Sequence, residues 1–193
     1  MAFPPTVQRI ADAIRLELHV ATPFLLEEQN PTGRHQPVEI REARGQADAL
    51  VVSFDQCFSR LSRTGNVAEW LFPLFREGEG LRRSCDYLVF YERDQNLWVL
   101  LFELKSRTSE GARDQLASTR LLADYLLSVA RHHGAPDDVQ RRYRGIILKE
   151  SARPLKVGPK ATVSYPLVHP SMADLPFAVL HPQKFWLLDA FCS

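Results

Sequence analysis

Length, composition and charge describe an ordinary globular chain. It has 193 residues, of which 45% are hydrophobic and 24% are charged, and its formal net charge is +1. A chain of this length can bury a hydrophobic core without disulfide bonds. The net charge does not by itself indicate nucleic-acid binding. No apolar run approaches about 18 residues, which excludes a conventional membrane span, and the first residues lack a signal-peptide pattern. Cys57, Cys85 and Cys192 have no metal-type spacing, which favours reduced thiols and a cytoplasmic protein.

In the N-terminal part of the chain, residue patterns predict two helices and a strand, with a polar loop after the first helix. A helix is predicted from Thr6, as its N-cap, to about Val20. Residues 28–47 are polar and contain prolines and a glycine, which predicts a loop. A buried strand is predicted at residues 49–54 and a short aromatic helix at residues 66–75.

A predicted β-hairpin at residues 85–106 is the most informative segment. Two apolar runs flank the turn-forming residues Asp94 and Gln95. A turn centred on these two residues places Asp86 opposite Glu103. Glu103 and Lys105 share one face because side chains alternate along a strand. Two carboxylates and one ammonium are therefore expected to converge on one patch.

The strand that carries Glu103 is apolar on both faces, which indicates a sheet covered on both sides. An isolated carboxylate there would be destabilising by several kcal/mol unless it is paired or bound to a cation. Two interpretations follow. Glu103 and Lys105 form a structural ion pair, in which case Asp86 lies far from Glu103, or Asp86 joins them and the two carboxylates suit a hard divalent ion.

In this strand context, Asp86, Glu103 and Lys105 resemble the signature of the PD-(D/E)XK nuclease superfamily. That signature has Asp at the start of one core strand and Glu-x-Lys on the next. The resemblance covers about residues 80–150, and Cys85 stands where the family usually has Pro. It implies a metal-dependent nuclease that hydrolyses phosphodiester bonds of DNA, with RNA left open as a substrate.

The same resemblance implies a fold and a domain organisation. The expected class is α/β, with a restriction-endonuclease-like core in which helices flank a central mixed β-sheet. The chain is expected to form one domain over residues 1–193, with its core at about residues 48–150 and C-terminal strands and loops at residues 151–193. Segments 162–165 and 185–188, separated by a proline-rich loop, are predicted strands that complete or cover the sheet.

The resemblance also assigns roles to the residues of the hairpin. Asp86, Glu103 and the backbone carbonyl of Leu104 are expected to hold Mg²⁺ or Mn²⁺. Lys105 is expected to orient or deprotonate the attacking water and to share the phosphate charge. An upstream helix often supplies one more carboxylate in the family, for which Glu69 is the preferred candidate and Glu42 the next, although both also fit ordinary surface residues.

A long amphipathic helix is predicted from Ala112 to about His132. Gln115 in its first turn matches a glutamine that borders the site in several branches of the family, so it is included among the candidate catalytic residues. A solvated helix residue is the equal alternative. One branch has Gln-x-x-x-Tyr, whereas Thr119 stands at the tyrosine position of this chain.

A basic segment follows that helix. Between residues 139 and 160, one acid, Glu150, stands against seven basic residues: Arg141, Arg142, Arg144, Lys149, Arg153, Lys156 and Lys160. This excess suits contacts to phosphates, and a solvated turn and loop is the equal alternative. Residues 143–149 also predict the next core strand, with Lys149 at its end.

The sequence offers no Gly-rich phosphate loop, zinc finger or helix-turn-helix motif. Targeting is therefore expected from a homodimer or from a partner ATPase, helicase or recognition subunit, and family analogy suggests antiviral defence as the setting. The alternative function is a non-catalytic nuclease-fold subunit that binds nucleic acid or assembles a complex.

Overall fold

The structure, a computed structural model, describes residues 4–13, 19–20, 23–27, 37–41, 49–53, 84–106, 108–135, 139–152 and 161–193. These ranges contain two α-helices, α1 (Pro5–Ala13) and α2 (Ala112–His132), and a 3-10 helix at Leu188–Phe191. They also contain ten strands: β1 (His19–Val20), β2 (Phe24–Leu26), β3 (Val38–Arg41), β4 (Ala49–Ser53), β5 (Tyr87–Arg93), β6 (Asn96–Lys105), β7 (Gln140–Lys149), β8 (Leu167–His169), β9 (Met172–Leu180) and β10 (Phe185–Leu187).

Seven of these strands form one mixed sheet in the order β1-β4-β5-β6-β7-β9-β8. The β4–β5 and β5–β6 pairs are antiparallel, whereas β6, β7 and β9 run parallel to one another. The other three strands form a small second sheet in the order β10-β3-β2. The predicted α/β class with a mixed sheet is therefore confirmed. Neither of the two described helices is long and apolar enough to cross a membrane.

The two faces of the large sheet are covered differently. Leu97, Val99 and Leu101 of β6 pack in one apolar cluster with α1 and α2. Trp98 and Leu100 pack in a second cluster with the small sheet and the 3-10 helix. The expectation that helices flank the sheet is thus met on one face, which is called the helix face below, while strands cover the other face of the described part.

The β5–β6 hairpin has the predicted turn and register. Asp94 and Gln95 both have positive φ, 51° and 60°, as a two-residue type I′ turn requires. The strand pairing runs from Arg93↔Asn96 to Tyr87↔Phe102. Continuation of that register by one residue brings Asp86 opposite Glu103, on the helix face.

A glycine in β7 allows α2 to lie close to the sheet. A Cβ atom on Gly145 would lie 2.8 Å from the Cβ of Phe177 and 2.9 Å from a Cδ of Leu116, distances that would force the neighbours to shift. The absence of that methyl group lets α2 lie close to the middle of β7, at Leu116.

Several predicted elements differ from the structure. The first helix begins at Pro5, whose fixed φ suits a first helical position, so Thr6 is not its N-cap, and the prediction of helix as far as Val20 is wrong because His19–Val20 is a strand. The predicted loop at 28–47 contains β3, whose alternate residues are buried. The helix predicted at residues 66–75 lies outside the described residues.

The C-terminal prediction is corrected in the same way. Residues 162–165 form no strand, and the proline-rich segment instead contributes β8 and β9. β9 tolerates Pro176 because it lies near the edge of the sheet, opposite the short strand β8. The segment at 185–188 covers the large sheet instead of completing it, since β10 pairs with β3.

Candidate active site

Asp86 and Glu103 lie side by side at the end of the hairpin. Asp86 immediately precedes β5 and Glu103 is the third-last residue of β6. The backbone N–H of Leu104 donates a hydrogen bond of 2.6 Å to Oδ2 of Asp86, which fixes the carboxylate at this position. A purely structural Glu103–Lys105 pair was expected to leave Asp86 far away, and that expectation is not met.

Lys105 is held on two sides. Its Nζ lies 2.7 Å from Oε1 of Glu103 and donates a hydrogen bond of 2.9 Å to Oε1 of Gln115. Gln115 in turn donates from Nε2 to the backbone oxygen of Ser84 at 3.1 Å. The structure therefore brings together the four residues that the sequence singled out, and Gln115 contacts the lysine directly instead of pointing to solvent.

Glu103 is the electrostatically strained member of the group. Only 2% of its side chain is exposed. Burial raises the pKa of Glu103 to about 8, the charge of Asp86 adds to that rise, and Lys105 opposes it. Its Oε2 atom has no hydrogen-bond partner among the described residues. Lys105 therefore does not fully offset the unfavourable effect of burial and of Asp86 on the ionised carboxylate of Glu103, and a bound cation would stabilise that charge.

The donor atoms at this position suit a hard divalent cation. Asp86 and Glu103 carry carboxylate oxygens, which Mg²⁺ and Mn²⁺ prefer as ligands. In a β-strand the N–H and C=O of one residue point to the same side, so the carbonyl of Leu104 faces the side where Asp86 lies. Among the described residues, no group of three or more His, Cys, Asp or Glu side chains is placed so that it could hold a metal ion. Two carboxylates with one carbonyl still fit Mg²⁺, which usually keeps several waters.

Thr119 has a role that the sequence did not indicate. The backbone N–H of Cys85 donates a buried hydrogen bond of 2.7 Å to Oγ1 of Thr119. Gln115 and Thr119 stand four residues apart on α2, so they share a helix face, and together they fix the backbone of Ser84 and Cys85 just before Asp86. The i, i+4 pair of polar residues beside an apolar stripe was the available signal. Burial raises the pKa of the Cys85 thiol well above its usual value, which keeps the thiol neutral.

Replacing Thr119 by Val is expected to lower the free energy of unfolding by about 1–3 kcal/mol, because the buried N–H of Cys85 loses its acceptor while the side-chain volume is kept. Urea denaturation of both proteins measures the difference. Thr119→Ser retains the hydroxyl and serves as the control, with an expected loss smaller than that of the valine variant. Equal stability of the valine variant and the wild type would show that the hydrogen bond from Cys85 to Thr119 does not stabilise the fold.

The basic residues of the predicted phosphate-binding segment do not share one surface. Lys149 lies beside Lys105, its partner in the parallel β6–β7 register. At about 3.3 Å per strand residue, Arg144 lies about 17 Å and Arg141 about 26 Å from Lys149, towards the opposite end of β7. Arg142, like Arg144, points to the opposite face from Lys149, since side chains alternate along the strand.

Arg144 is engaged within the protein. Its guanidinium lies 5.0 Å from the ring centre of Trp98 and 5.1 Å from that of Tyr165, and it donates to the backbone oxygen of Ser193. The remaining candidates lie outside the described residues: Glu42, Glu69, Arg153, Lys156 and Lys160.

Comparison of the chain with protein-family models, with curated proteins and with solved structures finds no match. The chemical capability of the site is therefore argued from its own atoms. Two carboxylates on adjacent strand ends can hold a divalent ion. A lysine held next to them can contact an anionic substrate at the same edge of the sheet.

Proposed function

We propose that the chain is a divalent-metal-dependent nuclease of the PD-(D/E)XK type, with a restriction-endonuclease-like core, and that it hydrolyses phosphodiester bonds of DNA. One observation carries the proposal. Glu103 is buried with one carboxylate oxygen unpartnered among the described residues, next to Asp86 and Lys105. A buried carboxylate with a purely structural role would be expected to have hydrogen-bond partners for both oxygens. A metal ligand instead needs one oxygen without a protein partner, so that this oxygen can coordinate the ion.

In the proposed phosphodiester cleavage, the side chains of the site have different roles. A Mg²⁺ or Mn²⁺ ion held by Asp86, Glu103 and the Leu104 carbonyl would neutralise phosphate charge and lower the pKa of a bound water. Lys105 has three N–H donors, of which Glu103 and Gln115 engage two. The third is left for the substrate phosphate or the attacking water. Gln115 keeps the ammonium in place and so acts through Lys105.

Recruitment to the substrate belongs to the same proposal. The chain is proposed to act as a homodimer or beside a partner ATPase, helicase or recognition subunit, in a defence or DNA-processing complex in the cytoplasm. This part rests on the family resemblance and on the absence of a recognition motif in the sequence. Co-purification from the native cell followed by mass spectrometry identifies such a partner.

Cleavage of DNA tests the proposal directly. Linear, circular and single-stranded DNA, with RNA in parallel, are incubated with the wild type and Mg²⁺ or Mn²⁺. We expect cleavage that a chelator abolishes and that Asp86→Ala lowers by about 10²–10³-fold, as for the loss of one charge-stabilising group. Asp12→Ala, which removes an exposed acid on α1, is the matched control with unchanged activity. Equal cleavage by wild type and Asp86→Ala would assign the activity to a contaminant or to another site.

A non-catalytic nuclease-fold subunit is the second candidate, and one observation favours it. Most polar atoms of the site already satisfy each other: Asp86 accepts from Leu104, and Lys105 pairs with Glu103 and Gln115. Such a subunit would bind nucleic acid or assemble a complex without cleaving. It predicts that divalent ions leave the thermal stability of the wild type unchanged, which separates it from the nuclease.

A further inference from the structure

Three parallel strands end at the same edge of the large sheet. β6, β7 and β9 run parallel, and in such sheets ligands bind beyond the carboxyl ends of the strands. Lys105 and Lys149 are register partners, so about 4.8 Å separates their strands. Leu180 pairs with Leu148, so His181 follows immediately beside Lys149. A lysine, a second lysine and a histidine thus occupy adjacent strand ends.

The backbone of this edge is fixed by two hydrogen bonds. The N–H of Glu150 donates to the backbone oxygen of Lys105 at 3.3 Å, which ties the end of β7 to the end of β6. Nδ1 of His181 lies 3.0 Å from the backbone oxygen of Glu150. Because a carbonyl only accepts, Nδ1 is the donor, and Nε2 is the ring nitrogen that another partner can use.

Charge changes sign along the edge. The carboxylates of Asp86 and Glu103 and the ammonium of Lys105 lie at the β5–β6 end, the ammonium of Lys149 lies at the end of β7, and the imidazole of His181 follows β9. Glu103 and Gln115 engage two of the three donors of Lys105, whereas Lys149 forms no ion pair with any described residue. Its side chain lies on the helix face, beside Lys105. A polyanion whose one phosphate is held at the carboxylates would place its next phosphate over Lys149.

We infer that Lys149, with His181 beside it, binds the DNA phosphate adjacent to the one being cleaved, so that the cut strand crosses the edge from β6 towards β9. This inference rests on the proposed function and gives the substrate path a direction. It also separates Lys149 from the arginines of the same strand, which lie at its other end or on its other face.

The salt dependence of DNA binding tests the inference. Fluorescein-labelled double-stranded DNA is titrated with the Asp86→Ala protein, whose cleavage is expected to be about 10²–10³-fold slower than that of the wild type. The titration is repeated over a series of NaCl concentrations, and anisotropy gives the association constant. Adding Lys149→Ala is expected to reduce the slope of log K against log [NaCl] by about 0.9, the contribution of one phosphate contact. His181→Ala is expected to weaken binding less. Adding Arg142→Ala instead, at the other end of β7, is the matched control and leaves the slope unchanged.

The outcomes separate the two proposals. An unchanged slope with Lys149→Ala, while the parent protein binds DNA, overturns the phosphate contact and leaves the proposed nuclease standing. A reduced slope with Arg142→Ala as large as that with Lys149→Ala also overturns it, since the contact would then be general. Absence of binding by the parent, together with absence of cleavage by the wild type, overturns the proposed function and this inference with it.

Discussion

Replacing Lys105 by Ala is expected to lower the rate of metal-dependent DNA cleavage by about 10²–10³-fold, the range found when one charge-stabilising donor is removed from a preorganised site. The Lys105 ammonium lies 2.7 Å from Oε1 of Glu103, and its hydrogen bond of 2.9 Å to Gln115 fixes its direction. In the proposed mechanism, its loss would remove a preorganised ammonium from the position where phosphate charge develops. Initial rates with Mg²⁺ and a plasmid substrate measure the effect.

Lys184→Ala is the matched control for this prediction. Lys184 is exposed and immediately precedes β10, a strand of the small sheet, so its removal changes the net charge equally without touching the site. We expect cleavage at the wild-type rate. If both lysine variants cleave as fast as the wild type, Lys105 has no part in the chemistry and the proposed mechanism is wrong.

Glu103→Gln is expected to abolish the stabilisation that Mg²⁺ gives the wild type. An ion at 100 times its dissociation constant stabilises the folded state by about 2.7 kcal/mol, which raises the melting temperature by about 5–10 °C for a chain of this size. The glutamine keeps the shape of the side chain but lacks the charge that binds the ion. Thermal unfolding of the wild type and of Glu103→Gln, each with and without Mg²⁺, measures the stabilisation by Mg²⁺ and its loss in the variant.

The pH dependence of this stabilisation has a definite sign. Burial and Asp86 raise the pKa of Glu103 from 4.5 to about 8, so in the metal-free protein the folded state holds this proton more tightly than the unfolded state. The stability contribution of Glu103 is therefore full below about pH 4.5 and declines as the pH rises to about 8. The proposed Mg²⁺ ion would bind the ionised form, so the stabilisation by Mg²⁺ should grow between pH 7 and pH 9.

The glutamine variant should show neither trend, since it has no proton to lose at this position. Asp12→Ala, which alters an exposed acid, should behave like the wild type at every pH. A stabilisation by Mg²⁺ that is independent of pH in the wild type, or that persists in Glu103→Gln, would show that Glu103 is not a ligand of the ion.

The hairpin and the long helix were predictable because their signals are local. Asp94 and Gln95 form the turn, and alternation along Asn96–Lys105 fixes which side chains share a face, so the register of Asp86 and Glu103 followed from the turn alone. The helix predicted at Ala112–His132 has those bounds in the structure. Its apolar residues at helical spacing, including Leu116 and Ala123, are buried against the sheet.

The small sheet was not predictable by the same reasoning. β2, β3 and β10 have three or four residues each, too few for a periodic pattern to stand out from a loop. β10 pairs in parallel with β3, from a position more than a hundred residues later in the chain, so its location depends on long-range packing of residues such as Trp186 and not on local preference.

The site was predictable only where its residues lie on the hairpin. Gln115 was proposed from its place in the helix, but its contact with Lys105 depends on how closely α2 lies on the sheet, which Gly145 permits. The i, i+4 spacing of Gln115 and Thr119 shows that they share a helix face, but it does not identify the distant backbone N–H, that of Cys85, from which the threonine hydroxyl accepts. The count of basic residues places Arg144 with the phosphate-binding residues because such a count does not tell which face of a strand a residue occupies.

Titration of the wild type with Mn²⁺ at pH 8.5, with free Mn²⁺ followed by electron paramagnetic resonance, tests most directly the claim that Asp86 and Glu103 form a metal site. The pH lies above the raised pKa of Glu103, about 8, so its carboxylate is available to the ion. The account predicts saturable binding of one Mn²⁺ per chain that is lost in Asp86→Ala. No saturable binding by the wild type, or equal binding by the variant, would contradict it and leave these residues as a structural ion-pair network.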